Sequence, residues 1–449
     1  MTDATTDRSL ITVIGGGITG LAAAWELSCH DGIDVELVES SDRWGGKIAT
    51  SMFADRLVDE GADAFLRRVP EAIDLCRELG LDDLTSPATG HAFVWADGAL
   101  HAIPGGLVLG VPASFDDLDA SDLLTPAGRA RARQEPDLEG APLEGDCSIA
   151  SLIDVRFGHE VTDRLVEPLI GGIYAGEADR LSLDAVLPQL AEIAHRSAVL
   201  SAPLAERQAA ATDGPVFSAP IRGMGALVDA LLDGLTRRGI ALRLSTPMQT
   251  LPPSDGVIVT TPAPAAAALV REVSPEAADL LAGIDYAGVV LVTLAYRRAD
   301  VRRDLDGSGF LVPRSAGCFV TAVSWASSKW AHLDIGDDLI VMRVSSGHRG
   351  DTRWRSMSDD EVVEAMRDDL RTTMGIDNAP VEVRVSHHPE GFPQYDVGHL
   401  DRVARIEATL RDAAPHVMVT GSAHRGLGIP ACIRQGRAAA RELAARLLK

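Results

Sequence analysis

The sequence predicts an α/β fold organised around a Rossmann-like dinucleotide-binding unit, and three observations carry that prediction. The stretch LITVIGGGITG (10–20) runs a β-branched strand straight into G-x-G-x-x-G. A helix-compatible run, LAAAWELS from Leu21, and a second strand, DVELVE from Asp34, complete a βαβ opening. The end, PHVMVTGSAHRGLGIPACIRQGRAAARELAARLLK, repeats the order of apolar strand, glycine turn and helix, the helix starting at Pro430.

The chain has 449 residues, well beyond the roughly 250–300 at which one core stops growing, so at least two packed units are expected. Hydrophobic residues make up 46 % and charged residues 24 %, a globular balance; aromatics are only 4 %, so aliphatic side chains must fill the interior. A net charge of -23 disfavours nucleic acid and anionic lipid as partners. No apolar run approaches the ~18–20 residues of a membrane helix, so no integral membrane segment is expected. The polar start does not read as a signal peptide, and the expected location is the cytoplasm. Cys29, Cys76, Cys147, Cys318 and Cys432 never form a C-x-x-C pair, so neither a disulfide framework nor a metal site is expected.

In the opening loop Gly15 allows the tight turn, Gly17 lets backbone approach a pyrophosphate, and Gly20 lets helix and strand pack closely. Gly16, Ile18 and Thr19 complete the loop, and Glu39 at the tip of the second strand can accept ribose hydroxyls. NAD and FAD both use this arrangement. The next residues, ESSDRWGGK (39–47), place Ser40 and Arg43 and then Gly45, Gly46 and Lys47 after the acid. Such glycines let backbone meet phosphate and the lysine can balance its charge. This second glycine pair resembles the extended FAD signature of amine-oxidase-like flavoproteins. In those proteins the turn of VDEGADAFL (58–66) packs near the isoalloxazine ring, and FAD is the cofactor expected here.

Further along, residues 114–146 are rich in Asp, Pro, Gly and Arg and read as a long surface loop or as short helices joined by loops. Residues 148–190 and 192–204 read as helical, while 257–259, 288–295 and 339–344 are β-branched strands. Between Thr250 and Val257, LPPSDG reads as a hairpin shortened to a turn. His387 and His388 read as surface histidines. The expected division is FAD-binding 1–80, a helical insertion 81–205, FAD-binding 206–255, an α+β substrate-binding unit 256–400, and FAD-binding 401–449.

Several stretches together resemble the protoporphyrinogen/coproporphyrinogen oxidase family of haem biosynthesis, in particular its soluble bacterial coproporphyrinogen III oxidases. They are GHAFVWADGALHAIPGG (90–106), RFGHEVTDRLVEPLIGGIYAGEADRLSL (156–183), APIRGMGALVDAL (219–231), SWASSKWAH (324–332), FPQYDVGHLDRV (392–403) and GSAHRGLGIPACIRQG (421–436). The resemblance implies an FAD-binding fold of the amine-oxidase/glutathione-reductase type. It assigns the loop from Gly15 to Gly20, Glu39, Ser40, Lys47, Gly61, Ala62, Asp63, Ala64, Met248, Leu427, Gly428 and Ile429 to FAD. It places Gly172, Ile173 and Tyr174 along the substrate cleft, where Gly171–Gly172 would offer a flat wall to a macrocycle.

The implied reaction removes six electrons from a porphyrinogen in three hydride transfers to FAD, with O2 as acceptor giving H2O2. No residue announces itself as an obligatory general base; Tyr174 and His399 are the candidates for handling protons. Coproporphyrinogen carries four propionates, and Arg67 and Arg68 are the first candidates to meet them, since carboxylates pair well with guanidinium forks. A ferrochelatase is a candidate transient partner. The alternatives are protoporphyrinogen IX oxidation, another flavoprotein of the same fold such as an amine oxidase or carotenoid desaturase, and a noncatalytic FAD/porphyrin-binding scaffold.

Overall fold

The computed structural model describes residues 8–210, 214–336 and 338–448. Residues 1–7, 211–213, 337 and 449, which the expected units include, lie outside the described residues.

Five short strands form a wholly parallel sheet in the order Ala241–Arg243, Ile33–Val38, Ser9–Ile14, Gly256–Val259, Val417–Val419. Ser9–Ile14 and Gly256–Val259 are nearly continuous apolar runs because helices cover both faces, whereas Ile33–Val38 keeps Asp34 and Glu36 between its buried residues. On one face the helices Ile18–Leu27 and Ile429–Leu447 lie against each other. Their approach depends on Gly436, where a Cβ would stand 2.2 Å from the carbonyl oxygen of Thr19. On the other face Ala263–Val270, Pro275–Ala282 and His399–Ala413 bury Ala, Leu and Ile against Ile14, Val38, Val257 and Val259.

Gly256–Val259, expected at the start of the substrate-binding unit, is therefore an inner strand of the nucleotide sheet, flanked by the first strand and the last. A four-residue apolar run carries no periodicity to reveal which sheet it joins; the parallel crossover decides.

The second sheet has seven strands, in the order Glu382–Pro393, Tyr286–Arg297, Leu339–Ser346, Val320–Ser324, Gly309–Leu311, Phe93–Ala96, Ala99–Ala102. One face packs on the helix Asp359–Met374, which starts in a capping box made by Ser358 and Glu361. The last two strands come from within the expected helical insertion, so that insertion also extends the substrate-side sheet. The remainder of 81–205 is mainly helical around its own core of Leu, Ile, Val and Phe. Residues 114–146 resolve into the short helices Asp116–Asp119, Pro126–Ala132 and Glu135–Asp137 joined by loops. Glu135 is fully buried there, and its carboxylate takes bonds from Leu200 N (2.6 Å) and Ser201 Oγ (2.5 Å).

Candidate functional site

Three of the four glycines of the opening loop have separate steric reasons. A Cβ at Gly15 (φ +112°) would stand 2.7 Å from Thr260 Oγ1, at Gly16 2.5 Å from the Trp44 ring, and at Gly20 1.9 Å from the Gly15 carbonyl oxygen. At Gly17 a Cβ would meet nothing within 4 Å. Protein packing thus demands Gly15, Gly16 and Gly20, while Gly17 borders open space at the start of Ile18–Leu27. That helix has no side-chain cap, so its first N–H groups are available to an anion. The RWGGK turn lies alongside, Gly45 N donating to Gly16 O at 2.9 Å. The Arg43 guanidinium fastens the turn from behind, at 2.6 Å from Gly46 O.

Glu39 follows the second strand. Its Oε2 accepts from Gly16 N (2.6 Å), and its Oε1 accepts from Ser41 N (2.8 Å) and from the hydroxyl of Ser40 (3.1 Å). Burial works to raise its pKa, but these donors outweigh burial and hold the carboxyl below its ordinary range. Met248 packs into the cluster containing Ile14 and Val38. The set fits an adenine dinucleotide: open backbone and a helix N-terminus for the pyrophosphate, an ionised carboxylate for ribose hydroxyls, and a thioether beside the base.

Lys47 reaches away from this end. Its Nζ donates to Gly391 O at 2.5 Å and lies 5.8 Å from the Tyr286 ring centroid. The side chain keeps accessible surface although protein surrounds it, as expected of a group facing an internal cleft. Desolvation lowers its pKa to about 8, against the opposing pull of Cys432 and Glu390. Gly61 packs on it from below, since a Cβ there would come within 2.3 Å of Lys47 O. Asp63 anchors this turn by accepting from Lys329 Nζ (2.8 Å), Arg343 Nη1 (3.0 Å) and Trp330 Nε1 (3.2 Å). Burial alone would raise Asp63, but the two cations keep it far below the carboxylate range. Ala62 is exposed beside it and Ala64 packs on the core. Asp59 is different: burial pushes it up to about 6 despite bonds from Thr50 Oγ1 (2.5 Å) and Met224 N (2.8 Å).

Gly172, Ile173 and Tyr174 end the helix Glu167–Tyr174, which Ala175 stops in a left-handed conformation (φ +49°). A Cβ at Gly171 would meet nothing within 4 Å, one at Gly172 would lie 3.1 Å from Leu311 Cδ2, and Ile173 is 40 % exposed. The Tyr174 ring is half-buried, and burial raises its phenol to about 12, so the hydroxyl keeps its proton. His399 is buried and burial lowers it to about 4; its Nε2 donates to His424 O at 2.8 Å. With Nε2 donating to a carbonyl, the lone pair lies on Nδ1, which has no hydrogen-bond partner among the described residues, and burial leaves it a weak base. Arg67 donates to Ser218 Oγ (3.1 Å) and both it and Arg68 are exposed. Leu427, Gly428 and Ile429 open the last helix, again with no side-chain cap and with Pro430 in its first turn. Cys432 on that turn bonds weakly to Leu427 O at 3.5 Å, and burial raises its thiol above the ordinary range.

Several residues at the cleft escaped the sequence reading. His388, read as a surface histidine, is partly buried with its Nε2 3.0 Å from Glu60 O, beside Gly61. Arg343, Lys329, Trp330, Tyr286 and Tyr395 come from strands and turns whose place near the glycine loops only the fold sets. Lys329, Trp330 and Tyr395 did lie in stretches singled out for their resemblance, which was the available signal.

The family model for flavin containing amine oxidoreductases matches residues 18–444. The chain belongs to this family. Within it the chain is 32 % identical over 456 residues to coproporphyrinogen III oxidase of Bacillus subtilis, with 96 % of each chain covered. It is 34 % identical over 446 residues to the Mycobacterium tuberculosis enzyme of that name, with 94 % of each covered. A crystal structure from Exiguobacterium described as a protoporphyrinogen oxidase superposes with a TM-score of 0.87 at 28 % identity, covering 98 % of this chain and 99 % of that one. Putrescine oxidase, at 16 % identity and a TM-score of 0.71, shares the fold, covering 98 % and 99 % of the two chains. Flavin is the cofactor of this family, and the residues around Gly17, Glu39, Lys47 and Gly428 fit FAD. Among the described residues no helix is long and apolar enough to cross a membrane.

Proposed function

We propose that this protein is an FAD-dependent oxidoreductase that converts coproporphyrinogen III to coproporphyrin III in haem biosynthesis. The observation that carries the reading is identity of 32–34 % to coproporphyrinogen III oxidases along 94–96 % of the chain. When bound, FAD supplies the hydride acceptor and passes electrons to O2. Six hydrogens leave the macrocycle as three hydrides and three protons, matched by three O2 reduced to three H2O2.

The chain's own contribution is placement. Gly171–Gly172 offer a flat wall, and Leu311 backs Gly172 from the sheet side. Tyr174 bounds the wall as a protonated phenol, able to donate a hydrogen bond but not to take a proton near neutral pH. No side chain is assigned as general base, and departing pyrrole protons pass to solvent. Arg67 and Arg68 are our candidates to meet a propionate, and as chain neighbours at most one of them faces the cleft. Hand-over of product to a ferrochelatase and a cytoplasmic location belong to the same reading.

Anaerobic stopped-flow mixing with each porphyrinogen tests it. Flavin bands should bleach faster, with higher kcat/KM, for coproporphyrinogen III. Equal or higher values for protoporphyrinogen IX would make that compound the substrate. Bound porphyrin with no flavin reduction would reassign the protein as a scaffold.

A further inference from the structure

The segment from Gln394 to His399 touches three parts of the molecule. Gln394 N donates to Asp285 O (2.9 Å) in the sheet-bearing unit. Gln394 Nε2 donates to Tyr174 O (3.0 Å), and Tyr395 O accepts from Ser182 N (2.7 Å), both in the helical unit. In the other direction the Tyr395 hydroxyl donates to Ser422 O and accepts from Gly426 N (3.2 Å). His399 Nε2 holds His424 O (2.8 Å). The Gln435 carboxamide accepts from Arg425 N (2.8 Å) and donates to Gly426 O (3.0 Å).

Backbone groups of residues 422, 424, 425 and 426 are therefore held by three side chains, immediately before Leu427–Ile429. This loop needs holding. Gly421 (φ +127°) and Gly426 (φ +113°) flank it in conformations few other residues adopt, so backbone stiffness does not set its shape. Tyr395 itself is fully buried, stacked on His399 at 4.2 Å and 17°, with the Tyr174 ring edge-on at 5.9 Å. Burial keeps its phenol protonated, as the bond to Ser422 O requires.

We propose that Tyr395, supported by the stacked His399, is a positioning residue that fixes the distance between the substrate wall at Gly172–Tyr174 and the flavin-facing turn at Leu427–Ile429. The inference rests on the function proposed above for what lies across that distance, but the clamp is readable without it. Hydride transfer needs reacting atoms about 3–3.5 Å apart, so slack in one connecting loop acts on rate rather than on substrate binding.

Tyr395→Phe removes one hydroxyl, and with it the partner of both Ser422 O and Gly426 N, while the ring stays. In the holoenzyme, amide hydrogen exchange within 421–428 should quicken roughly tenfold. The rate of flavin reduction should fall by a similar factor with KM within twofold, and the visible flavin spectrum should shift. His399→Phe keeps the stack and loses the bond to His424 O, so it should move the same readouts by less. Wild-type exchange in Y395F would overturn the clamp, and so would wild-type flavin reduction despite faster exchange. If the wild-type protein oxidises no porphyrinogen, the functional reading falls, while exchange and spectrum still decide whether the clamp exists.

Discussion

At the nucleotide end, the bond from Gly16 to Glu39 joins residues 23 apart; in the cleft, Lys47 meets Gly391 344 residues away and Gln394 meets Tyr174 220 residues away. The first place is shaped by sterics at neighbouring glycines. The second is shaped by long side chains reaching across units, through ammonium, phenol, imidazole and carboxamide. At Gly15, Gly16 and Gly20 local geometry tolerates no added atom, whereas the junction should lose function gradually as its bonds are removed.

The sharpest way to break that contrast is a pair of alanines in one loop. Gly20→Ala puts a methyl 1.9 Å from Gly15 O, which should cost about 3 kcal/mol or more and yield protein without FAD. Gly17→Ala projects its methyl into open space; the FAD-free protein should melt within a degree or two of wild type and still fail to retain flavin. Calorimetry and the ratio of bound FAD to protein read both, and equal melting of the two variants would remove the distinction between packing glycines and ligand glycines.

A smaller effect is expected at Lys47. If its ammonium, lowered to about 8, faces the cofactor, FAD affinity should weaken as pH rises through that value. Lys47→Met should bind FAD roughly tenfold less tightly at neutral pH with a flat profile above it. Fluorescence titration across pH 6–10 measures both, and a flat wild-type profile would put the lysine outside FAD binding.

A pH effect on stability is expected at Asp59. Its folded-state pKa, about 6, lies above the ordinary 3.8. The folded state therefore holds the proton more tightly, and the stability this gives is complete below about pH 4 and lost as pH rises through 6. Asp59→Asn keeps an acceptor for Thr50 and Met224, so it should match wild type at low pH and exceed it by on the order of 2 kcal/mol above pH 6. Parallel melting curves across that range would show that Asp59 is not titrating.

What the sequence could reveal follows the same contrast. LITVIGGGITG, Glu39 and RWGGK were legible because their spacing encodes one strand, one turn and one helix. VIV at 257–259 was misplaced because a short apolar run fits either sheet. Phe93–Ala96 and Ala99–Ala102 form a local hairpin, but they were absorbed into a helical unit because the strand that joins the hairpin to a sheet, Gly309–Leu311 beside Phe93–Ala96, lies some two hundred residues on. His388 read as surface because its neighbour, the carbonyl of Glu60, is 328 residues away. Resemblance supplied Gly172–Tyr174 and Leu427–Ile429, but not the side chains that tie those two segments together.

The position of Val417–Val419 beside Gly256–Val259, with Ile429–Leu447 lying over Ile18–Leu27, bears on how the protein is made. On the ribosome the glycine loop emerges well before the strand and helix that complete its surroundings. Sheet closure must wait for them, a topology of high contact order that folds slowly. A nascent chain that has not yet reached residue 417 would expose the apolar edge of Gly256–Val259 to aggregation and to quality control.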